Sequence, residues 1–288
     1  MRSARRKIVA ASVAAATATV LAAAKLATGV LTGSLAILAA AVDSLMDVAC
    51  SALNAYFLRF AADPPDAEHA FGHGKAEALS GVIQSVIIAM GGVWLVGRGL
   101  WRLFTPRPVE GPEAGIVVAG GALAVTLALV AFLRREARAT GSVALHADAF
   151  HYVTDIATNG VAALALAGYR WLGWWWLDPA ASLLIAAYII KAALGILRQS
   201  ADELLDRGLP REMEDEVKEA LRTLAPEVRG YREFRSRRVG GVPFFEFRLL
   251  VDRSVSFERS HELAEEVIGR IRARHGEDAQ VMVDTDPV

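Results

Sequence analysis

The chain has a single cysteine, Cys50, so no intrachain disulfide is possible and the thiol does not report on compartment. In a helix-like context Cys50 reads better as a small hydrophobe than as a metal ligand. Charge of one sign is also missing. The net charge is −1, and no basic tract occurs beyond the short start, Arg2 to Lys7, so nothing points to nucleic acid. No His-Glu-x-x-His helix and no Ser or Cys nucleophile beside a base is present, which removes the usual signatures of a membrane metalloprotease or a hydrolase. Internal repeats and low-complexity linkers are absent as well.

Apolar residues are in excess. They make up 54% of the chain, and the mean hydropathy is +0.34, above the usual range for soluble domains. A spanning helix needs about 20 mostly apolar residues, and six stretches qualify: 8–30, 34–60, 78–101, 114–133, 142–168 and 175–197. The basic start followed by an Ala/Val/Leu run imitates a signal peptide. It is taken as a first transmembrane helix, because the run outlasts a short signal core and five more follow. Between the runs stand Asp63-Pro64-Pro65, Pro106-Arg107-Pro108 and Arg134-Arg135-Glu136. Trp171 and Trp174-Trp175-Trp176 lie where an interfacial aromatic belt belongs.

Orientation follows from the positive residues. Arg2, Arg5, Arg6, Lys7, Arg59, Lys75, Arg134, Arg135, Arg138 and Arg198 fall on one side, and Arg98, Arg102, Arg107 and Arg170 on the other. That bias puts both termini in the cytoplasm, as an even number of spans requires.

After about residue 200 charged residues become frequent and the long apolar runs stop. Helical spacing over 210–224 and 260–271, with strands around 231–239, 244–251 and 281–283, predicts a small α/β domain. The expected fold is thus a polytopic α-helical membrane protein. It has six transmembrane helices over 1–205 and a C-terminal cytoplasmic α+β domain of ferredoxin-like type over 206–288.

An ionisable residue inside a bilayer is costly, and functional by default. Asp43 and Asp47 in the second run are four apart and share one helix face. His151 and Asp155 repeat that spacing in the fifth run. Two facing pairs supply four oxygen and nitrogen ligands, the tetrahedral number that Zn²⁺ prefers. Hydrogen bonding between helices, or a proton path without metal, is the alternative for the same residues. Asp148 and Asn159 extend the fifth-run seam, where packing or support of the ligands is expected of them.

The second-run segment with Asp43 and Asp47, the loop Asp66-Ala67-Glu68-His69-Ala70-Phe71-Gly72-His73-Gly74-Lys75, and His151-Tyr152-Val153-Thr154-Asp155 resemble, in that order, the cation diffusion facilitator family. The likeness is to its bacterial zinc and ferrous-iron efflux branch and covers nearly the whole chain. The resemblance implies that Asp43, Asp47, His151 and Asp155 form a transport site. It also implies a homodimer in the inner (plasma) membrane that exchanges cytoplasmic metal for protons by alternating access. The chemistry agrees: ligands must be deprotonated to bind metal, so loading releases protons and protonation expels the ion.

Asp66, His69 and His73 stand at the family's second metal site, and in a helix all three would reach one ion. The resemblance further suggests an interlock between Lys75 and Asp206. In the tail the family pattern breaks. His261 and Asp286 match ligand positions and Asp284 replaces a histidine, but Arg232 and Arg248 occupy histidine positions. Guanidinium donates only and does not normally coordinate metal. Either His261, Asp284 and Asp286 hold a single ion, or Arg232 and Arg248 pair with the acids and hold the tail dimer together without metal. The second is preferred.

The expected activity is efflux of zinc-like ions coupled to proton antiport. Zn²⁺ leads over Fe²⁺, Cd²⁺, Co²⁺ and Mn²⁺, and the histidine makes Mg²⁺ improbable. The rivals are a non-transporting regulatory paralogue and an intramembrane metalloenzyme.

Overall fold

The computed structural model describes residues 2–32, 35–104, 115–172, 177–222 and 226–288. The chain divides into two compact units, one ending at Ala201 and the other Asp202–Val288. The expected Pro106-Arg107-Pro108 separator and Trp174-Trp175-Trp176 lie outside the described residues, as do the side chains of Arg102, Arg170 and Trp171.

Among the described residues the first unit holds six helices: α1 (Arg2–Thr32), α2 (Leu35–Ala61), α3 (Ala76–Phe104), α4 (Gly115–Thr140), α5 (Val143–Leu172) and α6 (Leu177–Leu204), whose last residues are counted with the second unit. They are 26 to 31 residues long, or about 39–46 Å at 1.5 Å per residue, enough to cross a hydrocarbon core of about 30 Å. Ser3–Leu31, Ala76–Trp101 and Pro179–Leu204 are apolar enough to span a membrane by composition alone. In α2 and α5 the apolar run is interrupted by Asp43, Asp47, Asp148, His151 and Asp155, the residues that carry the chemistry.

Packing in this unit is inverted relative to a soluble bundle. Large apolar side chains such as Val20, Met46, Met90, Trp94 and Leu184 are exposed, while small and polar residues are buried. Lipid gives apolar groups no reason to leave the surface, so small residues that let helices approach take the interior. Ala10, Ala14, Ala18 and Ala22, each four apart, form such a buried stripe on α1, and its lower part packs with Ala55, Leu58 and Leu133 of α2 and α4. Gly92 does the same for α3 and α6, since a methyl added there would lie 2.7 Å from Ile190 Cγ1. Gly141, at φ +63°, ends α4, and Ser142 Oγ accepts from Leu145 N to cap α5. Lys7 and Glu77 form a buried ion pair at 2.7 Å between α1 and α3, and Arg6 reaches Glu136 on α4 at 2.9 Å.

The second unit continues with α7 (Arg211–Arg222), β1 (Val228–Val239), β2 (Val242–Val251), α8 (Phe257–His275) and β3 (Gln280–Pro287). The β1–β2 pair is antiparallel, turned by Gly240 and Gly241, whose φ of +56° and +78° suit a two-residue hairpin loop. The β2–β3 pair is parallel, and α8 makes the crossover that parallel strands need. The order αββαβ is that of a ferredoxin-like domain with three strands among the described residues.

Strict alternation along β2 assigns its faces. Phe245, Phe247, Leu249 and Val251 are buried with Val217 and Leu221 of α7 and Leu263, Val267 and Ile271 of α8. Glu246, Arg248 and Leu250 therefore stand on the opposite face, in register with Met282, Asp284 and Asp286 of β3.

Candidate metal centre

Asp47 on α2 and His151 and Asp155 on α5 come together. Each offers one ligand atom within 4.8 Å of the others, and all three side chains are partly buried. His151 Nε2 lies 3.2 Å from Asp47 Oδ1 and 3.9 Å from Asp155 Oδ2. The i,i+4 spacing on α5 places its pair on one face, and the packing of α2 against α5 brings in the third ligand. Asp43, the fourth expected ligand, is exposed and outside this group. Asp43 and Asp47 have the same four-residue spacing as His151 and Asp155, but only the α5 pair brings both side chains to the group.

Asp66, His69 and His73 form a second group within the same distance. His73 Nε2 is 3.1 Å from His69 Nδ1 and 3.4 Å from Asp66 Oδ2. The segment is not helical, so these ligands do not meet by the expected one-turn spacing. Instead Asp66 Oδ1 accepts from the amides of His69 and Glu68 at 2.6 and 2.9 Å, and Gly72, at φ +79°, reverses the chain before His73. The His69 amide first, then that of Glu68 and the nearby imidazoles, hold the Asp66 carboxyl below the usual carboxylate range. His73 is buried against Phe60, with Nδ1 3.4 Å from the Asp63 carbonyl. Such a contact fixes the ring and leaves Nε2 toward the ligand group.

The expected tail triad does not assemble. His261 is exposed on α8, whose buried stripe of Leu263, Ala264, Val267 and Ile271 faces the sheet. Asp284 and Asp286 sit on the other face of that sheet, so within one chain the imidazole cannot join them. Their partners are arginines. Arg232 Nη2 donates to Asp286, and Arg248 lies 3.5 Å from Asp286, 3.9 Å from Asp284 and 3.2 Å from Glu233. Glu233 gets there by a β-bulge, with φ +54° at the register shift between Arg232 and Arg235. Burial works against the Asp286 charge, but the two guanidiniums outweigh it and keep its carboxyl below the usual range. Asp206, at φ +55°, pairs with Arg237 at 3.2 Å within the second unit, whereas Lys75 belongs to the first.

The sequence pattern described as the cation efflux transmembrane domain matches residues 11–205, and that of the cation efflux protein cytoplasmic domain matches 209–288. A cation-efflux pump FieF of Citrobacter koseri is 39% identical over 257 residues, 89% of this chain and 84% of the relative. The FieF pump of Shewanella oneidensis is 36% identical over 276 residues, 95% and 91% of the two chains. The chain belongs to the cation efflux, or cation diffusion facilitator, family. Among solved structures, a MamM-CTD 215-293 chain is 25% identical, with a TM-score of 0.25, and covers 27% of this chain and 98% of its own.

In this family member the helices α2, α3 and α5 that carry or flank the membrane cluster also hold buried polar residues bonded to one another, which spacing along one helix does not reveal. Tyr152 Oη, Ser51 Oγ and Asp148 Oδ1 form a chain with steps of 2.7 and 3.2 Å. On α2 and α3, Gln84 donates to Ser80 and Ser80 to Asn54, at 3.2 and 2.9 Å. All are buried. Asp148, fully buried one turn from His151, accepts from Ser51 and stays outside the ligand group, while Asn159 is exposed. Cys50 is buried and outside both ligand groups. Ser, Asn, Gln and Tyr in apolar runs are the signal that marks these residues, since polar side chains there seek partners on neighbouring helices. Lys25 carries the same signal: it lies in an otherwise apolar run, and its partner, Ser44, is on another helix.

Proposed function

We propose that this cation efflux protein exports divalent transition-metal ions from the cytoplasm in exchange for protons. The ions pass through a transport site of Asp47, His151 and Asp155 that Asp43 completes when the ion is held. The convergence of an imidazole and two carboxylates between α2 and α5 supports this reading. Metal and protons compete for these three side chains, because each coordinates only when deprotonated, so one site serves both directions of an exchange. Nitrogen and oxygen donors in this number favour zinc, and the same ligands accept ferrous iron, cadmium, cobalt and manganese.

Asp66, His69 and His73 hold a second, exchangeable ion on the cytoplasmic side, with a position left for water. The protein acts as a homodimer in the inner membrane, with both termini in the cytoplasm. The tail dimer is held by arginine–carboxylate contacts. Uptake by proteoliposomes carrying a pH-sensitive dye, across a panel of zinc, cadmium, ferrous, cobalt and manganese ions, tests the reading. Metal accumulation with opposite proton movement, strongest for zinc, is expected. A regulatory paralogue or an intramembrane enzyme would accumulate none.

A further inference from the structure

Lys25 lies within α1, seven residues before its last residue, Thr32, or about 10 Å from that end. A lysine at such a depth commonly lays its stem along apolar surface and carries the ammonium to the interface. Lys25 instead donates from Nζ to Ser44 Oγ at 2.6 Å, and Ser44 is 2% exposed on α2. Ser44 follows Asp43 and precedes Asp47 by three, so the ammonium is tied beside the carboxylate-bearing stretch of α2. Because α1 packs along α2, Lys25 is carried with Asp43 and Asp47.

We propose that Lys25 is a built-in cation of the transport site, setting how tightly a metal ion is held. The inference rests on the assignment of Asp43, Asp47, His151 and Asp155 given above. Carboxylates gathered in a low-dielectric interior are costly without opposite charge. The ammonium supplies part of that charge when no ion is bound. A divalent ion entering the site meets a fixed positive charge on its α1 side, which lowers its affinity and helps it leave. Ser44 holds the ammonium near enough to act while keeping it out of the ligand positions.

The full-length protein in proteoliposomes, assayed for zinc transport and for equilibrium zinc binding, tests this with Lys25→Met, Lys25→Arg, Ser44→Ala and Asp47→Asn. Lys25→Met should bind zinc about tenfold or more tightly and turn over more slowly, so that KM and kcat fall together. Lys25→Arg, which keeps the charge, should stay near wild type, and Ser44→Ala should fall between. Where the methionine variant does not purify, Lys25→Gln is measured by the same criterion. A lysine that only ties α1 to α2 gives unchanged or weaker zinc binding in the neutral variants, and that result overturns the proposal. If Asp47→Asn binds and transports like wild type, the site assignment itself falls and takes this inference with it.

Discussion

Arg232 and Arg248 stand directly opposite each other on β1 and β2, and both reach the carboxylate of Asp286 on β3. Like charges across a strand pair are destabilising on their own, so the acids around them are needed whether or not metal is present. The isolated tail, residues 202–288, should therefore take up no zinc in a calorimetric titration at neutral pH. The double variant Arg232→His, Arg248→His leaves imidazoles beside Asp284 and Asp286 and should gain zinc binding. Stoichiometric uptake by the unaltered tail would contradict the salt-linked account.

Acid should weaken the same domain. Hydrogen bonds from Arg229, then from Ser254, hold the Asp252 carboxyl far below the usual range, and Asp286 is lowered by its guanidiniums despite some burial. A depressed folded-state pKa contributes stability that is complete above the unfolded value of about 3.9 and lost as pH falls through the folded one. The thermal midpoint of the tail should hold steady down to about pH 4 and then drop. In Asp252→Asn and Asp286→Asn variants the midpoint should start lower and lose less in acid. Parallel pH profiles for variants and wild type would remove these carboxylates from the explanation.

The loop site can be counted. Two ligand groups are described, so the purified protein should bind two zinc ions per chain. His73→Ala should leave one, with transport ligands intact, and Asp47→Ala should leave the other. Gly72→Ala forces a side chain into a left-handed turn, at a cost of about 1 kcal/mol, and should weaken the loop ion while sparing the membrane ion. Equilibrium dialysis with metal analysis distinguishes the two sites.

The helices and strands were legible because apolar runs and the alternation along β2 are local properties of the chain. Asp47, His151 and Asp155 could be named from spacing within each helix, and the packing of α2 on α5 then joined them. Spacing failed in the loop, where the four-residue step from His69 to His73 fits a helix and a turn equally well, and an Asx turn at Asp66 decided for the turn. That Asp43 stands outside the ligand group, and that His261 lies away from Asp284 and Asp286, was not legible either, because a helix face or a family ligand position does not fix where a side chain ends. Polar residues in apolar runs mark Ser51, Asn54, Ser80, Gln84 and Tyr152 in the sequence, but which of them pair becomes visible only with the helices packed. Lys25 was passed over in the sequence, since a lone charge in an apolar run gains its meaning only from its attachment to Ser44.

The central claim is that one intramembrane ligand group exchanges metal for protons. Its most direct measurement is zinc-driven proton flux in proteoliposomes, comparing wild type with Asp47→Ala and His151→Ala while folding is monitored by size exclusion. Opposed zinc and proton fluxes that vanish together in both variants are the expected result. Zinc transport that persists unchanged in Asp47→Ala, with the protein folded, would contradict the account.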